Sequence, residues 1–291
     1  MTEATMLTET TQTSTTTTRP RRTARRAVRP GTVIALAILA IVALWAVLPS
    51  VCAPYDPLAS NTSEILVAPS FAHLFGTDDL GRDIFSRVVY GTRVSLLTAA
   101  LALGVALVFG LLLGLAAGFA RASGRAVLTL LIDVLLAIPG LVLAMAIITA
   151  LGSGSLQLGL AVGVALVGLI ARVMRSEVLR TRHETFIEAS RVAGASPWDI
   201  AARRVLPNAL GPVLVLAVLE YGQVILIVAA LSFLGFGAPP PAPEWGTIVS
   251  QGRDFLVQAW WVSALPGLVI AAVVIALNRV SQALAGREVS R

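Results

Sequence analysis

The chain has 291 residues and a net charge of +6, with 56% hydrophobic but only 13% charged residues and a mean hydropathy of +0.84. That balance excludes a soluble globular enzyme and a disordered chain, and it points to a polytopic helical membrane protein with little length left for a soluble domain. All 22 basic residues are arginine, so there is no phosphate-binding or Schiff-base lysine; Cys52, His73 and His183 alone leave no disulfide, metal cluster or histidine-based triad.

Residues 1–30 hold ten threonines between Thr2 and Thr18 and six arginines between Arg19 and Arg29. With no apolar face to bury, this tail is expected to be disordered. The uncharged run Pro30–Tyr55 is too long for a signal-peptide core, and Val51-Cys52-Ala53 is a poor cleavage site. It reads as an uncleaved first span. An external segment, Pro54–Arg93, follows. Within it Asp78, Asp79, Arg82, Asp83 and Arg87 alternate in sign, as in a salt network on a short external helix or a contact with an external protein.

The second span is expected from Val94 to Phe119, where Gly110, Gly114 and Gly118 put a flat strip on one face, suited to close helix packing. Ala126–Ala171 carries only Asp133 and is too long for one helix. A turn at Gly152–Ser155 divides it into spans three and four. Leu210–Leu231 is the fifth span, interrupted by Glu220, with Tyr221 and Gln223 beside it. The sixth falls within Phe255–Asn278, with Trp260 and Trp261 as interface anchors.

Six spans put both termini on one side. With the N-terminus inside, 18 arginines are cytoplasmic and only Arg82, Arg87, Arg93 and Arg253 lie outside, so the chain is N-in and C-in. Its positive charge is then an orientation signal facing anionic lipid, with no call for nucleic acid.

The cytoplasmic segment 172–207 is the most charged part after the tail. Arg182–Ala193 reads as a short amphipathic helix ended by Gly194. Ser196 caps a second helix, with Pro197 at its first position and Asp199 three residues after the cap; Pro207 stops it. Such a helix–turn–helix presents Glu188 and its arginines to a partner and transmits rigid-body motion to the attached spans. Asp133 and Glu220 are the intramembrane acids, where charge is costly. Asp133 is placed to pair with Arg125 or Arg121. Glu220 either lines a pathway or bonds a neighbouring helix.

Glu188-Ala-Ser190, Gly194 four residues on, and Leu206-Pro207 twelve later resemble the EAA loop of permease subunits of bacterial ABC importers. Ser190 stands for the second alanine, and Arg204 for an isoleucine. His73–Arg87 with Tyr90–Leu96, Asp133–Pro139, and Leu231–Gly237 with Pro240-Pro241 and Trp245-Gly246 are similar to signatures of the peptide-importer branch, above all its second, C-type, subunit.

The resemblance covers about residues 33–285 and implies an all-α type I ABC importer fold. It divides the chain into the tail 1–30, a first helix with external segment 31–93, a permease core 94–285 containing the EAA loop 172–207, and the tail 286–291. It implies a bacterial inner-membrane protein with a second permease, two ATP-binding subunits and an extracytoplasmic substrate-binding protein as partners. The chain itself would hold no cofactor, and ATP and Mg would sit in the partner subunits. Carried onto this sequence, Glu188, Ala189 and Gly194, with Ser196, Asp199 and Arg203 beside them, are the coupling positions. Glu220, Tyr221, Gln223 and Asp133 are the pathway or buried polar positions. Nickel, glutathione, haem or opine-like cargo is the alternative to peptide. A stand-alone secondary transporter or channel using Glu220 is the alternative class; it would show inverted repeats, and none is evident.

Overall fold

The computed structural model describes residues 30–288. The tail up to Arg29 lies outside the described residues, as do the last three positions. The fold is a helical membrane bundle in which five continuous helices are long and apolar enough to span a bilayer, with one broken helix pair making a sixth span.

Helix α1 (Pro30–Val47) is the first span. It is followed by the short α2 (Pro49–Cys52) and an irregular external segment. α3 (Ile84–Phe119) starts ten residues before the expected second span. The reason is local: Asp83 N-caps it, accepting from the Ser86 N–H at 2.8 Å and from Ser86 Oγ at 2.7 Å. At 36 residues α3 is about 54 Å long and stands well clear of a ~30 Å hydrocarbon core. The external helix expected around Asp78–Arg87 is therefore absent. Asp78 to Arg82 form a turn, and Arg87 lies in the first turn of α3.

The third span is not one helix. α4 (Ala122–Ala137) and α5 (Gly140–Leu151) meet at 93° across Ile138-Pro139. Pro139 has no N–H to continue α4, and it forces Ile138 into extended geometry (φ −87°, ψ 127°). The expected turn at Gly152–Ser155 is present, and α6 (Ser155–Arg182) follows it as one continuous helix. It runs eleven residues past the expected end of span four, because nothing between Ala171 and Arg182 breaks a helix.

The main packing seam joins α3 to α6. A side chain at Gly110, Gly114 or Gly118 would fall under 3.0 Å from Ile170, from Ala171 and Met174, or from Val178 respectively. The glycine strip thus lets two backbones approach closely, as its spacing predicted. α1 packs on α3 and on α11 (Trp261–Glu288), the last span. α11 begins at Trp261, inside the expected uncharged run and at the expected tryptophan pair, after a 3₁₀ turn over Gly252–Phe255 and a further turn. Of the two tryptophans, Trp260 is exposed and Trp261 packs on the core.

Candidate functional site

The cytoplasmic elbow is built as its caps require, with shifted ends. α6 itself continues to Arg182, so the first short helix, α7, is Thr185–Val192. Ile187 and Ser190 face inward, and Ile187 joins a buried cluster with Val178, Ile200, Val205 and Ala209. That cluster ties the elbow to α6 and to the fifth span.

Gly194 follows at φ +83°, a left-handed geometry that glycine adopts without strain, and no atom lies within 4 Å of where its Cβ would stand. Ser196 Oγ accepts from the Asp199 N–H (3.1 Å), capping the helix start, and donates to Asp199 Oδ2 (2.7 Å). Asp199 also pairs with Arg203 at 3.5 Å. Glu188 and Ala189 are exposed.

Pro207 does not stop the second helix. One turn, α8 (Pro197–Asp199), widens into a π-helical segment, Ile200–Val205, and continues as α9 (Leu206–Leu231). The π turn sends the Leu206 N–H to the Ala201 carbonyl. Pro207 then sits in the first turn of α9, where a missing N–H is tolerated. Asn208 Nδ2 donates to the Arg204 carbonyl (2.6 Å). The elbow is therefore fused without a joint to the fifth span. Sequence reasoning missed Trp198, which projects with 76% of its surface exposed. An aromatic two residues after a cap on a polar loop was the available signal.

The intramembrane polar residues do not form one site. Asp133 pairs with Arg172 on α6 (3.4 Å), not with Arg125 or Arg121, because α4 lies alongside α6 and Arg125 turns back to the Ala120 carbonyl. Glu220 is half-buried and Gln223 is exposed on α9. Tyr221 Oη donates to the Leu96 carbonyl on α3 (3.0 Å), which makes it a tether between helices.

On the external side the alternating charges are a buried clamp. Asp78 accepts from Arg82 Nε at 2.7 Å and Arg87 Nη1 at 2.6 Å, and Arg87 Nη2 donates to Gln251 (2.9 Å). His73 bridges Asp83 (2.9 Å) and Glu64 (3.5 Å). The clamp joins the external segment to the start of α3 and to α10 (Trp245–Gln251).

Glu244, at the N-cap of α10, was not anticipated either. It is fully buried and accepts from Ser232 Oγ (2.5 Å), the Ala238 N–H (3.0 Å) and Thr247 Oγ1 (3.2 Å), with no basic partner among the described residues. Burial pushes its carboxyl up from the ordinary glutamate range, and the three hydrogen bonds offset part of that shift. The native form then binds its proton more tightly than the unfolded chain. This contribution to stability is full below the ordinary pKa of about 4.3 and is lost as pH rises through the higher native value. Glu244→Gln, which keeps the shape of the protonated acid, is expected to flatten that pH dependence. Melting of the reconstituted protein across pH measures it; an unchanged slope would show that Glu244 is not the group responsible.

A family model described as binding-protein-dependent transport system inner membrane component matches residues 110–289. The chain is 42% identical over 260 residues to the dipeptide transport system permease protein DppC of Escherichia coli (strain K12), covering 87% of each chain. It is 37% identical over 238 residues to the di/tripeptide transport system permease protein DppC of Pseudomonas aeruginosa (strain UCBPP-PA14), covering 80% of this chain and 78% of that one. It is 34% identical over 249 residues to the probable D,D-dipeptide transport system permease protein DdpC of Escherichia coli (strain K12), covering 86% and 84%. Among solved structures, a chain of the MetNI methionine ABC transporter in inward facing conformations aligns with TM-score 0.52 and 23% identity, over 68% of this chain and 95% of that one. An amino acid ABC transporter with histidines gives TM-score 0.55 at 15% identity, over 70% and 94%. These two likenesses establish the ABC importer permease fold.

Proposed function

The chain belongs to the family of binding-protein-dependent transport system inner membrane components, and from that premise we propose that it forms half of the translocation pathway of an ATP-driven importer of di- or oligopeptides. It is a multi-pass inner-membrane permease, a transport subunit of an ABC system. The observation that carries the peptide reading is 42% identity, over nearly the full length of both chains, to a dipeptide permease.

In this reading a second, related permease completes the pathway, and an external binding protein delivers cargo. Two ATP-binding subunits hold ATP and Mg and dock under the elbow. Glu188, Ala189, Gly194, Ser196, Asp199 and Arg203 form or support that contact, and Trp198 is its apolar anchor, since buried aromatics dominate interface energies. The one-piece run from the Ser196 cap into α9 supports this: a push on the elbow moves the fifth span as a rigid body. Glu220, half-buried, and Gln223, exposed, both on α9, are the candidates for the pathway wall.

Mild-detergent purification of the tagged chain is expected to bring down two ATP-binding subunits and one similar permease. Deletion of the gene should abolish dipeptide uptake. Recovery of the chain alone, with dipeptide uptake intact in the deletion strain, would overturn the reading.

A further inference from the structure

The cytoplasmic ends of α4 and α6, together with α7, carry a group of arginines without acidic partners, beside the end of α3. Arg182, on α6, donates to the Gly118 carbonyl at the end of α3, and its guanidinium lies 5.4 Å over the Phe119 ring. The charged groups acting most strongly on it are Arg125 of α4 and Arg191 of α7, both of its own sign. Of the acids on these helices, Glu177 and Glu184 pair with Arg180 and Asp133 pairs with Arg172, while Glu188, exposed on α7, makes no ion pair among the described residues. Among the described residues no ion pair includes Arg125, Arg182 or Arg191.

The helix geometry sets the levels. α4 and α6 are antiparallel neighbours, pinned by Asp133–Arg172. At about 1.5 Å per residue, Arg125 lies ~12 Å below Asp133 and Arg182 ~15 Å below Arg172. The two guanidinium-bearing positions therefore share one layer at the membrane surface. One turn deeper, Thr129 and Arg175 share a second layer, ~6 and ~4.5 Å below the same pin. Arg125 Nε, Arg175 Nε and Thr129 Oγ1 are all buried without a hydrogen-bond partner. α4 starts in this layer with no side-chain cap and no acid in its first turn. The seam thus has an excess of donors and positive charge and a shortage of acceptors. Just above it, α4 exposes Val127, Leu130 and Leu131.

We propose that this arginine group is a binding site for a phosphate monoanion or dianion, supplied by the headgroup of an acidic phospholipid of the inner leaflet whose acyl chains lie along Val127, Leu130 and Leu131. The position favours lipid over a soluble source: the charged layer adjoins an exposed apolar helix face, and a free phosphate would use only the first of these. The site does not depend on the cargo carried.

The test uses the full importer complex in nanodiscs of phosphatidylcholine, with or without phosphatidylglycerol. The variant is R125Q/R191Q; Arg182 is left in place because its bond to Gly118 joins α6 to α3. Phosphatidylglycerol is expected to raise the melting temperature of the wild-type complex and to be retained through purification, as read by mass spectrometry. With about fivefold per basic charge, the double variant should retain it on the order of 30-fold less well. R125K/R191K, which keeps the charge, should recover most of the retention. Equal retention by wild type and R125Q/R191Q would overturn the site. An equal stabilisation by inorganic phosphate in phosphatidylcholine alone would overturn the lipid source. If R125Q/R191Q instead lost its ATP-binding subunits with lipid retention unchanged, the occupant would be an acidic protein surface and the proposal would fail.

Discussion

Asp78→Ala is expected to destabilise the protein by about 3–5 kcal/mol, the largest effect of any single change outside the spans. The carboxylate is 2% exposed and is the shared acceptor for Arg82 and Arg87, themselves 5% and 1% exposed. Removing it leaves two buried like charges facing each other. It also frees the N–H groups of Leu80 and Arg82, both of which it accepts at 2.9 Å. Arg87→Met should cost less, since the Asp78–Arg82 pair survives and Asp78 and Gln251 each lose only one donor. Melting of the purified complex, with limited proteolysis of the external segment, reads both. A loss for Asp78→Ala no greater than for Arg87→Met would mean that the clamp is wetter than its burial indicates.

The second large effect is expected at the elbow. Gly194→Val places a β-branched residue at φ +83°, which costs about 1–3 kcal/mol of local strain and re-aims α7 against the capped turn that follows. Glu188→Arg reverses an exposed charge, and Trp198→Ala removes the proposed anchor. Each should lower peptide uptake and substrate-stimulated ATP hydrolysis at least about tenfold, one such contact being about 1.4 kcal/mol, while the protein stays inserted. Because no atom crowds Gly194, Gly194→Asn should recover much of what valine loses: asparagine tolerates the left-handed region. Asp133→Asn and Glu220→Gln are the comparisons, expected to leave docking of the ATP-binding subunits intact. Normal docking and uptake in the Gly194 and Glu188 variants would reduce the elbow to a solvated connector.

The sequence by itself determined what short-range chemistry controls. Uncharged runs located five of the spans, because a charge in hydrocarbon is costly at any position in the fold. The arginine asymmetry gave the orientation. Gly110, Gly114 and Gly118 marked the close helix seam, and Ser196 with Asp199 marked a helix start whose bonds form as the residue types require.

What the tertiary structure decided depended on partners distant in sequence or on backbone continuity. Pro139 broke a span, whereas Pro207 did not break a helix. Pro139 follows an Ile138 forced into extended geometry, whereas Pro207 sits in the first turn of α9, directly after a π-helical segment that already shifts the backbone pairing, the Leu206 N–H reaching the Ala201 carbonyl. Asp133 found Arg172 because α4 lies along α6, a pairing 39 residues apart that no local pattern encodes. Tyr221 proved to be a tether because α3 offers it the Leu96 carbonyl. The charges around Asp78 looked like a surface network; packing against Gln251, 164 positions beyond Arg87, buried them. Glu244 was one more acid in a loop until three donors closed around it, because burial belongs to the assembled bundle and not to the residue.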